Sequence, residues 1–156
     1  MKLLNAVLAW CSGHIPHVTS RSHLFLYRLT GKHFGSRLPG YRILWLTTRG
    51  RKTGRQRTKP LLYFTDEKAF VVLASNDGAD TPPQWYLNLL KNSQATIEVN
   101  RSKIAVNAIF ADASERARLW PIAMKPYPLY EVVSQRTQRE IPVVILRPAA
   151  SINART

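Results

Sequence analysis

The sequence predicts an α+β chain, mainly β, in which a small antiparallel barrel of consecutive hairpins is decorated by helices. Runs rich in aromatic and β-branched residues follow one another at hairpin spacing, and helical patterns interrupt them at two places. The alternating βαβα order of a dinucleotide-binding sheet is missing, and no G-x-G-x-x-G occurs. With 156 residues, 45% of them apolar and 21% charged, the chain suits one domain with its own core.

Leu3, Leu4, Val7 and Leu8 recur at helical spacing, which predicts a short amphipathic helix over 2–10, stopped by Gly13 and Pro16. A second helix is expected from Arg21 to Leu29, capped by Ser20, with Gly31 beyond its end. After a loop marked by Gly35, Pro39 and Gly40 the period changes: 41–48, 58–65 and 69–75 read as strands. Arg49 to Arg57 is the long loop between the first two, and Asp66-Glu67-Lys68 a tight turn between the last two. A polar loop then leads to a helix opened by Pro83 and running to about Asn92. Residues 95–99 and 104–110 alternate around a turn at Asn100 and Arg101, a second hairpin. Ser114 to Met124 carries helix formers, with Pro121 expected to kink or end that helix, and a further helix covers Leu129 to Thr137. Val143 to Leu146, entered through Pro142, is the closing buried strand. The expected organisation is a helical segment over 1–40, associated with a membrane or a dimer partner, a barrel domain over 41–148 and a tail over 149–156.

Charge narrows the function. The net charge is +14, and all nine carboxylates lie after residue 65, so the first part faces an anionic partner: nucleic acid, an anionic membrane surface or a phosphorylated cofactor. The lone Cys11 excludes an internal disulfide framework. The apolar run 3–10 is too short for a bilayer span, and Trp10 is too large to precede a lipoprotein cleavage site, so neither a signal peptide nor a membrane span is expected. His14, His17, His23 and His33 lack the spacing and acidic partners of a metal site, so no metal is expected.

The most specific segment is Thr47-Thr48-Arg49-Gly50-Arg51-Lys52-Thr53-Gly54-Arg55-Gln56-Arg57-Thr58, with two glycines and five cations between two strands. Glycines there let backbone N–H groups converge on an anion, and the cations add charge-assisted bonds. The spacing is not that of a Walker loop. Taken alone, the segment fits an anion site and a solvated basic hairpin or nucleic-acid patch equally well.

This loop occurs together, in order, with Ala74-Ser75-Asn76, Trp85-Tyr86-x-Asn88-Leu89 and Ile141-Pro142-Val143-Val144. In that combination the chain, from Leu24 to Pro148, resembles the deazaflavin (F420)-dependent nitroreductase and quinone reductase family of the flavin/deazaflavin oxidoreductase superfamily. The resemblance implies a split β-barrel of the FMN-binding type with N-terminal and inserted helices. It implies an enzyme that moves a hydride from reduced F420 to a quinone or nitro-aromatic acceptor. FMN is the alternative cofactor, and lipid or haem binding without turnover the alternative function; a nucleic-acid partner is not expected. By the same resemblance Arg51, Lys52, Thr53, Gly54, Arg55 and Arg57 hold the cofactor's phosphate and tail. Ser75 and Asn76 lie by its head group, Gln84, Trp85, Tyr86 and Asn88 line its cleft, and Tyr127 and Tyr130 close over the acceptor. Ser75 and Tyr130 are the expected catalytic pair. The chain departs from the family pattern at Asn76, where better-studied members carry a basic residue, and at Val133, where they carry an aromatic one. A cytoplasmic enzyme is expected, touching the inner membrane face through its N-terminal helix or pairing as a homodimer.

Overall fold

Residues 42–149 are described by the structure, a computed structural model, and they fall within the unit Ser36–Thr156. The helices expected over 2–10 and 21–29, and the tail from residue 150, lie outside the described residues.

Seven strands, β1 (Ile43–Arg49), β2 (Gln56–Leu62), β3 (Phe64–Asp66), β4 (Ala69–Leu73), β5 (Gln94–Val99), β6 (Ser102–Phe110) and β7 (Val143–Pro148), form one sheet. All pairings are antiparallel, in the order β2-β1-β5-β6-β7-β4-β3. The two outer strands of that order are consecutive in sequence, separated only by Tyr63. The sheet therefore curls until its edges meet at that residue, a split β-barrel that hides most of its edge. The tight turns fall where expected. Glu67, Asn100 and Arg101 have φ of 52°, 49° and 70°, as two-residue hairpin connections require.

Alternation along each strand feeds two cores. Leu44, Leu46, Val72, Ile97, Val106 and Val144 point into the barrel interior, together with Trp85 and Leu89 of α1 (Gln84–Lys91). Their neighbours Val71, Leu73, Val143 and Ile145 point the other way, onto Leu119 and Ala123 of α2 (Ala113–Met124) and Val133 of α3 (Leu129–Ser134). This double coverage explains why β7 reads as a continuous apolar run rather than an alternating one. α2 starts one residue earlier than expected because Asp112 caps it, its Oδ1 accepting from the Glu115 N–H at 2.8 Å.

The expectation at Pro121 needs correcting, since α2 continues past it to Met124. The ring of Pro121 is exposed, while Leu119 and Ala123 on either side are completely buried. A proline inside a helix costs about 3 kcal/mol, and burial of the flanking face outweighs it.

Candidate active site

The β1–β2 connection folds back on itself: the Gly50 N–H donates to the Arg55 carbonyl at 2.8 Å and the Gly54 N–H to the Gly50 carbonyl at 2.7 Å. Gly54 has φ +69°, a conformation glycine adopts without a Cβ penalty. At Gly50 the constraint is space, since a Cβ would stand 3.0 Å from the Arg55 carbonyl oxygen. The backbone N–H groups of Lys52 and Thr53 have no acceptor among the described residues and remain available to an anion.

Helix α1 stands against this loop. Pro83 caps it in an extended conformation, and Lys91 closes its last turn. The Asn88 side chain, almost fully buried, joins three elements. Its Oδ1 accepts from the Arg51 backbone N–H at 3.1 Å and from Arg51 Nη1 at 3.3 Å, while its Nδ2 donates to Thr48 Oγ1 of β1 at 3.1 Å. Arg51 Nη1 also donates to Gln84 Oε1 at 2.8 Å. The guanidinium is thus oriented by neutral acceptors that leave its charge unneutralised.

Between loop, β2 and α1 lies a cleft of about 340 Å³, lined by Gly50, Arg51, Lys52, Thr53, Arg57, Lys59, Gln84, Trp85 and Asn88. Every charged side chain in this wall is a cation. The side chains of Lys52, Arg57 and Lys59 form no ion pair or hydrogen bond with the described residues. A larger open groove of about 710 Å³, between the β3–β4 turn, α2 and β7, has walls of mixed sign, in which Arg118 forms a two-armed pair with Asp66 at 2.8 and 2.9 Å. The two clefts therefore differ in character, and only the first calls for an anion.

Of the residues singled out from the sequence, the structure brings Arg51, Lys52, Thr53, Arg57, Gln84, Trp85 and Asn88 into one wall. Gly54 shapes the loop from behind. Arg55 is exposed and outside that wall, and Tyr86 turns away to meet Phe110 edge-on at 5.6 Å. Trp85 serves two purposes, closing the cleft while packing in the barrel core.

Ser75 and Asn76 lie apart from this wall, at the turn that follows β4. Asn76, Asp77 and Gly78 take φ of 49°, 54° and 80°, successive left-handed residues, and the Ser75 hydroxyl makes no cap bond there. α3 packs on this turn: a Cβ on Gly78 would stand 2.9 Å from the Val133 carbonyl oxygen. Val133, which departs from the aromatic of the family pattern, has its side chain buried in the outer core.

Tyr130, on α3, is half-buried, and its hydroxyl has no hydrogen-bond partner among the described residues. Burial holds its phenol pKa above the usual tyrosine value, helped by Tyr127 and Asp77. The group stays protonated, a donor. Tyr127 is completely buried, with its ring edge-on to Tyr130 at 6.1 Å. Its hydroxyl is engaged with the main chain, donating to the Tyr63 carbonyl at 2.6 Å and accepting from the Arg42 N–H at 3.1 Å.

Sequence reasoning assigned no role to Thr48, Lys59 or Arg139. The signal for Thr48 was the polar Asn88 on the inner face of a helix, which demands a buried partner. Among the described residues, no group of three or more His, Cys, Asp and Glu gathers to hold a metal, and no helix is long and apolar enough to cross a membrane.

Fold and site together define a split-barrel protein with a cationic, glycine-built anion cleft. The chain matches the F420H(2)-dependent quinone reductase family over residues 19–148, and it belongs to that family. The F420H(2)-dependent quinone reductase Rv1261c of Mycobacterium tuberculosis (strain ATCC 25618 / H37Rv) is 36% identical over 141 residues, 88% of this chain and 95% of the relative. Among solved structures, the F420-H2 dependent reductase FDR-A superposes with a TM-score of 0.62 at 29% identity, covering 67% of this chain and 93% of its own. A structure described as a domain-swapped dimer superposes with a TM-score of 0.64 at 26% identity, covering 81% of this chain and 96% of its own.

Proposed function

We propose that this oxidoreductase moves a hydride from reduced F420 to a quinone, with the cofactor's phosphate in the cleft between the Gly50–Gly54 loop and α1 and the acceptor beside Tyr130. The observation that carries the reading is the cleft itself, where the side chains of Lys52, Arg57 and Lys59 lack partners, and the Lys52 and Thr53 N–H groups lack acceptors, among the described residues. A phosphodiester with further carboxylates satisfies such a wall; a neutral lipid does not. The FMN, lipid and haem alternatives are not favoured by the relatives.

The deazaflavin, when bound, supplies the hydride; the chain binds, orients and excludes water. Lys52, Thr53 and Arg57 meet the phosphate, Gly54 lets the loop close, and Arg51 is aimed in advance by Gln84 and Asn88. Arg55 and Lys59 extend the positive field toward the tail. Trp85, backed by Tyr86, walls the cleft. Ser75, whose hydroxyl is not consumed by capping, sits with Asn76 at the head group and donates to a ring oxygen. Tyr130 gives a hydrogen bond or a proton to the acceptor as it is reduced, with the Tyr127 ring behind it. Nitro-aromatic compounds are a second acceptor class for the same geometry. An N-terminal helix lying on the inner membrane face of a cytoplasmic enzyme would bring it to lipophilic quinones, and a homodimer is the competing use of that helix.

Titration of purified apoprotein with F420 and with FMN, followed by menadione reduction, tests the reading. F420 should bind more tightly than FMN and lose affinity as salt rises. Tighter binding of FMN, or no turnover with reduced F420, sinks it.

A further inference from the structure

We propose that Arg139, outside the cleft and 64 residues from Ser75 in sequence, is a positioning residue for hydride transfer, acting through the backbone of the turn that carries Ser75 and Asn76. The proposal rests on the placement of that turn at the cofactor's head group.

The turn is an unusual piece of backbone. Asn76, Asp77 and Gly78 are left-handed in succession, a run of three that is uncommon even for Asn and Asp, the side chains that tolerate this region best. Such a conformation persists only where its surroundings over-determine it. Its own hydrogen bonds are few: the Gly78 N–H to the Ser75 carbonyl at 3.1 Å, the Ala79 N–H to the Asn76 carbonyl at 3.0 Å, and Asn76 Nδ2 to the Thr81 carbonyl at 2.9 Å.

Arg139 supplies the rest. Its Nη2 donates to the Ser75 carbonyl at 2.6 Å and to the Ala74 carbonyl at 3.1 Å, on the side where the chain leaves β4, and its Nε donates to the Ala79 carbonyl at 2.8 Å, where the turn ends. One planar guanidinium thus spans both ends of the turn and fixes their separation, a task its rigid fork suits and a lysine ammonium does not. The Ala74 N–H donates in turn to the Pro142 carbonyl at 2.9 Å, tying β4 to the segment that bears Arg139. Among the described residues no carboxylate pairs with Arg139, so its donors are spent on main-chain carbonyls. The group has no direct contact with the phosphate cleft, so the two can be perturbed separately.

The test compares Arg139→Ala, Arg139→Lys and Ser75→Ala for F420 affinity, by fluorescence titration, and for single-turnover oxidation of reduced F420 by menadione. Arg139→Ala should lower the single-turnover rate by about tenfold or more, since small displacements at a reacting centre are costly, while F420 affinity stays within about threefold. Low-millimolar guanidinium should restore much of the rate in Arg139→Ala, and the same concentration of ammonium should not. If the alanine variant does not fold, Arg139→Lys carries the test, with the same split between rate and affinity at smaller size. A rate within about twofold of wild type in a folded variant overturns the proposal, as does a loss shared equally by rate and affinity that guanidinium does not restore. The underlying reading fails separately. A slow Ser75→Ala beside a fast Arg139→Ala rejects Arg139 alone, a fast Ser75→Ala beside a slow, rescuable Arg139→Ala rejects the Ser75 hydroxyl and keeps Arg139, and failure of the wild-type protein to bind F420 rejects both.

Discussion

The hydroxyl of Tyr130, proposed above to act on the acceptor, is half-buried, unpartnered among the described residues and held protonated. Tyr130→Phe keeps the ring and its contact with Tyr127, so stability should hardly change while the turnover number falls about a hundredfold. Because burial raises the phenol pKa, its deprotonation should contribute no alkaline break in the rate below about pH 10. A steady-state comparison across pH with menadione checks both. In the cleft, Lys52→Ala and Arg57→Ala each remove a charge-assisted bond worth about 1.5–3 kcal/mol, so the dissociation constant for F420 should rise about tenfold to a hundredfold by fluorescence titration. Both side chains are exposed, and urea midpoints should stay put. Gly78 behaves oppositely. Its left-handed φ and the close approach of Arg136 Cβ at 2.7 Å make Gly78→Ala destabilising by more than about 2 kcal/mol, whereas Gly54→Ala, with only the Arg49 guanidinium at 3.7 Å, pays the backbone strain of about 1–2 kcal/mol alone. Urea unfolding of the two variants separates strain from crowding.

At the scale of elements, Asn88 couples β1, the Gly50–Gly54 loop and α1 through one amide. Asn88→Ala leaves the Thr48 hydroxyl buried without its partner and should cost about 1–3 kcal/mol, while Thr48→Val removes the other half; the double variant should lose less than the sum of the two, by about 0.5–3 kcal/mol in a urea-derived cycle. Additive losses would mean the bond is incidental. What could be read in advance follows the range of the forces involved. The loop was legible because glycine spacing and clustered cations are local, and the strands because their period is local too. Pro121 misled because packing of Leu119 and Ala123, a tertiary effect, overrides a local helix-breaker. Tyr127 was visible as an aromatic residue, but its bonds to Tyr63 and Arg42 span 64 and 85 residues, and those of Arg139 to the Ser75 turn span 64. Contacts at such separation leave no pattern in a single sequence.

Across the whole molecule the charge is segregated by task. Between residues 42 and 65 there are seven basic side chains and no carboxylate, and two of the acids that follow have structural tasks. Asp112 caps α2, and Asp66 pairs with Arg118 across the outer groove. The hydrogen bond and charge of Arg118 hold the Asp66 carboxyl below its ordinary pKa. A depressed carboxyl pKa contributes stability that is present above the unfolded value near pH 3.9 and is lost as pH falls through the folded value. Asp66→Asn should therefore lower the urea midpoint slightly at pH 7 and less at pH 3, with F420 affinity unchanged at pH 7, since the pair lies outside the phosphate cleft.

The hydroxyl of Tyr127 holds the seam where β2 passes into β3, while its ring touches Tyr130. Tyr127 is tied to the first turn of α3 by the Tyr130 N–H on its carbonyl at 3.0 Å, so a displacement of Tyr127 with that helix would withdraw its hydroxyl oxygen from the Arg42 N–H. Solvent exchange at that single amide therefore gauges how often Tyr127 leaves the seam, readable with no ligand present.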